Sequence, residues 1–182
     1  MSDTAFDATG FAGFDLSAGT IRTPQGHGLS LLPLDILASL APTPALRRTA
    51  VEWGRQQAES LAHNADAQMN AFAGDLRGRL ALMGLGRMEV EIRGHALLFR
   101  LAAPDAPMTG ILRSLVEGFL SGYLQSLKRD AAFEVISIEQ SDNETLFFAG
   151  NPSACSNLQS WIDGGSAPMA AIERLNREGA ER

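Results

Sequence analysis
A chain of 182 residues with 45% hydrophobic, 20% charged and 7% aromatic residues has the composition of an ordinary globular domain, which excludes disordered and collagen-like classes. Its length allows a core that needs neither metal nor disulfide, and the lone Cys155 cannot close an internal bridge. With 15 Lys+Arg against 21 Asp+Glu the net charge is −6, which offers no general attraction for a phosphate backbone and excludes nucleic acid as an expected partner.

Residues 1–28 are rich in Gly, Thr, Ser and Asp, hold no sustained period of 3.6 or 2, and read as a flexible arm. Phe6, Phe11 and Phe14 stand out in it. They are candidate anchors for docking on a partner or a neighbouring subunit; the alternative is an arm folded back on its own domain or simply loose. The first positive charge is Arg22, preceded by Asp3, Asp7 and Asp15, the wrong sign for a signal or transit peptide. The expectation is a chain that starts at its own Met1 and works in the cytoplasm rather than the periplasm. The longest apolar stretch, Leu29 to Ala41, is broken by Pro33 and Asp35 and falls short of the ~20 residues of a bilayer span, so no membrane crossing is expected.

A core domain is expected over residues 29–150. Leu32, Ile36, Leu37 and Leu40 have helix-like spacing and predict a short helix. Thr43-Pro44 then supplies an N-cap and a proline at the first helical position, and Leu46, Ala50, Trp53, Gly54, Ala58 and Leu61 follow at steps that make an amphipathic helix. Asn64 can cap the next helix, in which Met69, Phe72, Leu76, Leu80 and Met83 form a stripe that Gly84 ends. A tight connection predicts that these two long helices pack antiparallel.

After Gly86 the period changes. Met88, Val90 and Ile92 alternate with Glu89, Glu91 and Arg93, Gly94-His95 makes a turn, and Leu97, Phe99 and Leu101 return, which predicts a β-hairpin. A loop from Pro104 to Pro107 leads to a long apolar helix from Ile111 to Leu127 whose wide apolar face predicts the most buried helix. A second hairpin runs through Phe133 to Ile138 and returns from Thr145 to Ala149, with turn residues at 141–144. Residues 151–182 read as a C-terminal loop, with a short turn near Trp161, and a final helix carrying Met169, Ile172 and Leu175 that docks as an add-on. The fold class is therefore α+β: two N-terminal helices, a hairpin, a buried apolar helix and a second hairpin forming an antiparallel sheet, plus a C-terminal helix.

Chemistry-bearing motifs are scarce. There is no G-x-S-x-G elbow, P-loop, C-x-x-C or H-E-x-x-H, and Gly84-Leu85-Gly86 leads into a strand where a dinucleotide fingerprint would lead into a helix. His27, His63 and His95 are scattered over an arm, a junction and a turn, so no metal site is expected. Glu89 with Glu91, and Glu134 with Glu139, read as strand acids facing water rather than as catalytic carboxylates. Cys155 has no adjacent His or Lys to activate it. No catalytic residue and no cofactor are expected, and the chain does not read as an enzyme.

Gly118 and Gly122 lie four apart in the apolar helix, each at a cost of about 1 kcal/mol against alanine. A bare groove there implies that another backbone or a ligand comes close. With Phe119 and Tyr123 they form the candidate oligomer or ligand contact; the alternative is close packing of the helix on its own sheet.

Trp53-Gly54-Arg55, the Leu82-Met83-Gly84-Leu85-Gly86-Arg87-Met88-Glu89-Val90 passage and the Leu115-Val116-Glu117-Gly118-Phe119-Leu120-Ser121-Gly122-Tyr123 helix followed by a hairpin resemble two related families. One is the vinyl-reductase type of small-molecule-binding domain; the other is the BcsD-like accessory subunit of bacterial cellulose synthase operons. The resemblance covers residues 35–150. The vinyl-reductase pattern carries cysteines at the start of the apolar helix and in the last hairpin, and this chain has none there, as in the cellulose family. The arm and the C-terminal helix depart from the cellulose family's pattern. That resemblance implies a non-enzymatic accessory subunit of cellulose (exopolysaccharide) synthesis, a homo-oligomer that in that family is a cylindrical octamer, with other components of the synthase complex and the glucan chain as partners. The alternative it implies is a sensor whose small apolar ligand sits between the apolar helix and the hairpins.

Overall fold
A computed structural model of the protein describes residues 13–15, 20–22, 28–29, 36–37, 39–62, 69–102, 108–127, 132–141 and 143–180. Within the segment read as an arm, three short strands, β1 (Gly13–Asp15), β2 (Thr20–Arg22) and β3 (Gly28–Leu29), pair antiparallel in that order. Phe14 lies on β1, paired with Ile21, whereas Phe6 and Phe11 lie outside the described residues. Of the short helix expected between Leu29 and Leu40, residues 36–37 are helical, and backbone bonds from Ser39 to Ile36 and from Leu40 to Leu37 close a turn.

The first long helix, α1 (Pro44–Ala62), starts where Thr43-Pro44 predicts, with the Leu46 N–H donating to Thr43 Oγ1 at 3.2 Å. The second, α2 (Met69–Leu82), ends before Gly84, whose φ of 72° is free only to glycine. Then come β4 (Arg87–Arg93), β5 (Ala96–Ala102), α3 (Gly110–Leu127), β6 (Glu134–Gln140) and β7 (Glu144–Gly150). The two hairpins join through an antiparallel β5–β7 pair, giving a four-stranded sheet of order β4-β5-β7-β6. The α+β class and both hairpins are as the alternation predicts, although Phe133 precedes β6 and Glu144, read as a turn residue, opens β7. A bulge between Ser137 and Glu139 interrupts β6, which the alternation does not show.

Period-2 alternation splits the sheet's side chains between two helical layers. The front face, with Met88, Phe99, Leu101, Val135 and Phe147, packs on α2 and α3, and α1 joins the same core by lying on α3. Ten residues of α3 are buried, so it is the central helix, as its wide apolar face requires. α1 lies chiefly along α3, although the short connection predicts α2 as its main partner; Gly54, Gly118 and Gly122 allow that closer approach.

The back face corrects the reading of the C-terminal segment. Residues expected to form a loop and turn make a helix, α4 (Pro152–Asp163), with Asn151 as its N-cap accepting from the Ala154 N–H at 2.8 Å and Pro152 in its first turn. It is followed by α5 (Pro168–Ala180). Cys155, Leu158, Ala171 and Ile172 from these helices are buried against Ala96, Leu98, Leu146 and Phe148 of the sheet. The last helix is pinned at the β4–β5 turn as well: Asn176 Oδ1 accepts from the His95 N–H and its Nδ2 donates to the Arg93 carbonyl, each at 3.0 Å. The C-terminal helices are thus a third layer of the fold. No described helix is long and apolar enough to cross a membrane.

Candidate functional site
The glycine pair singled out in the sequence faces α1 of the same chain. A Cβ on Gly122 would collide with the Val51 carbonyl oxygen, and one on Gly118 would lie 2.8 Å from both Ala50 Cβ and Arg47 O. Gly54 completes the arrangement from the other side, since a Cβ there would strike the Phe119 carbonyl oxygen. The contact is therefore reciprocal, small residue against backbone on both helices. It fills the groove with a helix of the same chain, the close backbone that the glycines imply, rather than with the protein's own sheet.

Phe119 and Tyr123 flank this seam. Phe119 stacks at a tilt on Trp53 with centroids 5.0 Å apart, and Tyr123 sits between Phe119 and Phe72 at 5.8 and 5.5 Å. Tyr123 is 0% exposed and its hydroxyl donates to Asp75 Oδ2 at 2.5 Å. Asp75 is held in turn by Arg79, whose Nε and Nη2 donate to it at 2.5 and 3.1 Å, and Arg79 Nη1 donates to Gln57 Oε1 at 2.5 Å. This chain of polar groups ties α1, α2 and α3 together inside the apolar layer. Burial, then the adjacent Asp75 charge, push the Tyr123 hydroxyl well above its ordinary range, so it stays protonated and serves as a donor. Between α3 and the hairpins, where the sensor reading places a ligand, Val116, Phe119 and Leu120 are buried against the sheet's Phe99, Leu101 and Phe147.

The sheet's two edges are treated differently. Along β6, side chains of α3 take the outward backbone donors: the Val135 N–H donates to Ser121 Oγ at 2.9 Å and the Ser137 N–H to Glu117 Oε1 at 2.9 Å. Arg47 of α1 adds a bond to the Val135 carbonyl at 3.3 Å and an ion pair with Glu134 at 3.1 Å. That edge is closed. On β4, Arg77 Nε donates to the Met88 carbonyl at 3.0 Å, which fixes Met88 as outward-facing and, by alternation, Val90 and Ile92 as well. Among the described residues no backbone or side-chain bond reaches those two positions, and Ile92 is 58% exposed.

An open groove of about 520 Å³ lies between β6 and α4, lined by Glu134, Ile136, Cys155, Ser156, Gln159 and Asp163. Its cysteine is not set up as a nucleophile. Burial, then the Glu134 charge, push the Cys155 thiol up to about 12, and the thiol donates to the Glu134 carbonyl at 3.4 Å. The strand acids are paired with arginines: Glu89 with Arg87 at 2.8 Å, Glu91 with Arg93, and Glu144 with Arg100 at 3.0 Å. His95 is exposed in its turn, and His27 and His63 lie outside the described residues. Among the described residues, no three His, Cys, Asp or Glu side chains converge as a metal-holding group.

Sequence reasoning missed Gly54 as the partner of Gly118 and Gly122, the Asp75–Arg79 brace and the closed edge of β6. Gly54 carried a signal, being an interior helical glycine on the apolar stripe. Asp75 and Arg79 stand four apart and look like any solvated helix pair. The chain matches no protein-family model and no curated protein sequence.

Proposed function
We propose that the protein is a non-catalytic accessory subunit of bacterial cellulose (exopolysaccharide) synthesis, a cytoplasmic protein that assembles with copies of itself and organises the synthase or its nascent glucan. The sequence resemblance over residues 35–150 supplies the biological setting. One observation carries the structural half: the interior side chains best suited to chemistry are engaged as braces. Tyr123, Asp75 and Arg79 join three helices, Ser121 and Glu117 close a sheet edge, and Cys155 holds a protonated thiol against the Glu134 carbonyl. A domain so built presents shape and surface to partners, which is what a scaffold subunit requires.

The test joins light scattering on the purified protein to deletion of its gene in a cellulose-producing strain. A homo-oligomer at micromolar concentration, with less insoluble glucan from the deletion strain and recovery on complementation, is the expected result. A protein that stays monomeric, from a strain whose glucan is unchanged by deletion, overturns the reading.

A further inference from the structure
We propose that the outer edge of β4 pairs antiparallel with β4 of a second copy over residues 89–93, about a two-fold axis through Glu91. The inference rests on the self-assembling reading above and names the surface that does the assembling.

The two edges of the sheet point to it. β6 has its outward donors taken by Ser121 and Glu117, so it offers no template for a further strand. β4 keeps the backbone groups of Val90 and Ile92 directed outward, beside the exposed Ile92 side chain. A second antiparallel strand would meet both in hydrogen-bonded pairs, each exchanging its two N–H···O bonds.

The charges of Arg87-Met88-Glu89-Val90-Glu91-Ile92-Arg93 select the occupant and the register. Full-length pairing centred on Val90 sets Glu89 against Glu91 and Arg87 against Arg93 of the other copy, like against like, which is destabilising. A centre at Glu89 needs the Met88 backbone, which Arg77 already engages. A centre at Ile92 opposes Val90 to Gly94, where the strand has turned (φ 61°) and Asn176 packs. Centred on Glu91, each Glu89 faces an Arg93, each Val90 faces an Ile92, and the overlap stops short of Met88. The Glu91 carboxylates that meet on the axis are each flanked by their own Arg93 and by Arg100 at 4.0 Å. In this register two Glu89–Arg93 pairs and two Val90–Ile92 pairs outweigh the single like-charged contact, Glu91 on Glu91, which Arg93 and Arg100 screen.

Residues facing each other on the axis of a non-hydrogen-bonded pair have Cα atoms about 4.5 Å apart, within the span of a disulfide. Glu91→Cys should therefore form a covalent dimer under mild oxidation, seen on a non-reducing gel, whereas Glu89→Cys, displaced along the strand from its own copy, should not. The buried Cys155 does not compete. If the native protein self-associates and Glu91→Cys fails to cross-link, or cross-links no better than Glu89→Cys, edge pairing is overturned while the assembly reading stands. If light scattering finds only monomer, both fall.

Discussion

The hydroxyl of Tyr123 donates to Oδ2 of Asp75 at 2.5 Å, joining α3 to α2 across 48 residues of sequence. Tyr123 is fully buried between Phe72 and Phe119 and the Asp75 side chain is only 15% exposed, so the bond has a charged acceptor and little competition from solvent. Hydrogen bonds to charged groups contribute more than neutral ones. Tyr123→Phe should cost about 1.5–3 kcal/mol, read as a lower urea midpoint at unchanged slope. Pairing it with Asp75→Asn in a double-mutant cycle should give a coupling energy of at least about 0.5 kcal/mol; additive single effects would show that the bond contributes nothing.

The helix seam gives a prediction with opposite signs at two glycines. Gly122→Ala drives a methyl into the Val51 carbonyl and should destabilise by about 1–3 kcal/mol despite its better helix propensity. Gly74→Ala in α2 meets nothing within 4 Å and should stabilise by about 0.5–1 kcal/mol. Thermal melts of the two variants beside the parent decide it. Because the seam is internal, Gly122→Ala should lower the melting temperature without first changing subunit number.

Cys155 makes the fold sensitive to alkali. Its pKa rises from the ordinary 9.0 to about 12 in the folded protein, through burial and the Glu134 charge. Between those values the unfolded chain releases a proton that the folded chain keeps, so stability falls as pH rises through the window and is unaffected by this group below it. Tyr123, raised likewise, adds to the loss at the upper end. Cys155→Ala should flatten part of the slope of unfolding free energy against pH above about 9. A thiol reagent should label the native protein far more slowly than the denatured chain; equal rates would refute the buried, protonated thiol.

The closed edge of β6 can be opened on purpose. Ser121→Ala with Glu117→Ala leaves the Val135 and Ser137 N–H groups without their acceptors. The orphaned Val135 donor, which is buried, costs about 1–3 kcal/mol and the part-buried Ser137 donor less, and an unblocked edge is a template for association. The double variant should melt lower and scatter more light on mild heating. Glu117→Gln in place of Glu117→Ala returns an acceptor to the Ser137 N–H alone and should recover only part of the difference, with the rest returning when Ser121 is restored.

What the sequence showed and hid follows from the range of each interaction. Helix and hairpin boundaries rest on local rules, so Thr43-Pro44, Gly84 and Gly94-His95 marked them correctly. α4 was also written locally, in the Asn151-Pro152 cap and the Cys155–Leu158 spacing, but the polar and glycine-rich surroundings read as loop. Which strands are edges was hidden, because it depends on the β5–β7 pairing between hairpins that are separated by α3. The occupant of the glycine groove was hidden for the same reason: Gly122 and Val51 lie 71 residues apart (122 minus 51).

The three-layer arrangement sets an order of events during synthesis. Every element that covers the front of the sheet precedes β7, so that side can close as soon as the second hairpin exists. The back is covered only by α4 and α5, which are made afterwards. While they are still inside the ribosome, Leu98, Leu146 and Phe148 form an uncovered apolar surface on an otherwise assembled sheet. Such transient surfaces are where nascent chains aggregate or meet chaperones. The Asn176 bonds at the first hairpin's turn, made by the later of these two helices, fasten that cover over the back of the sheet.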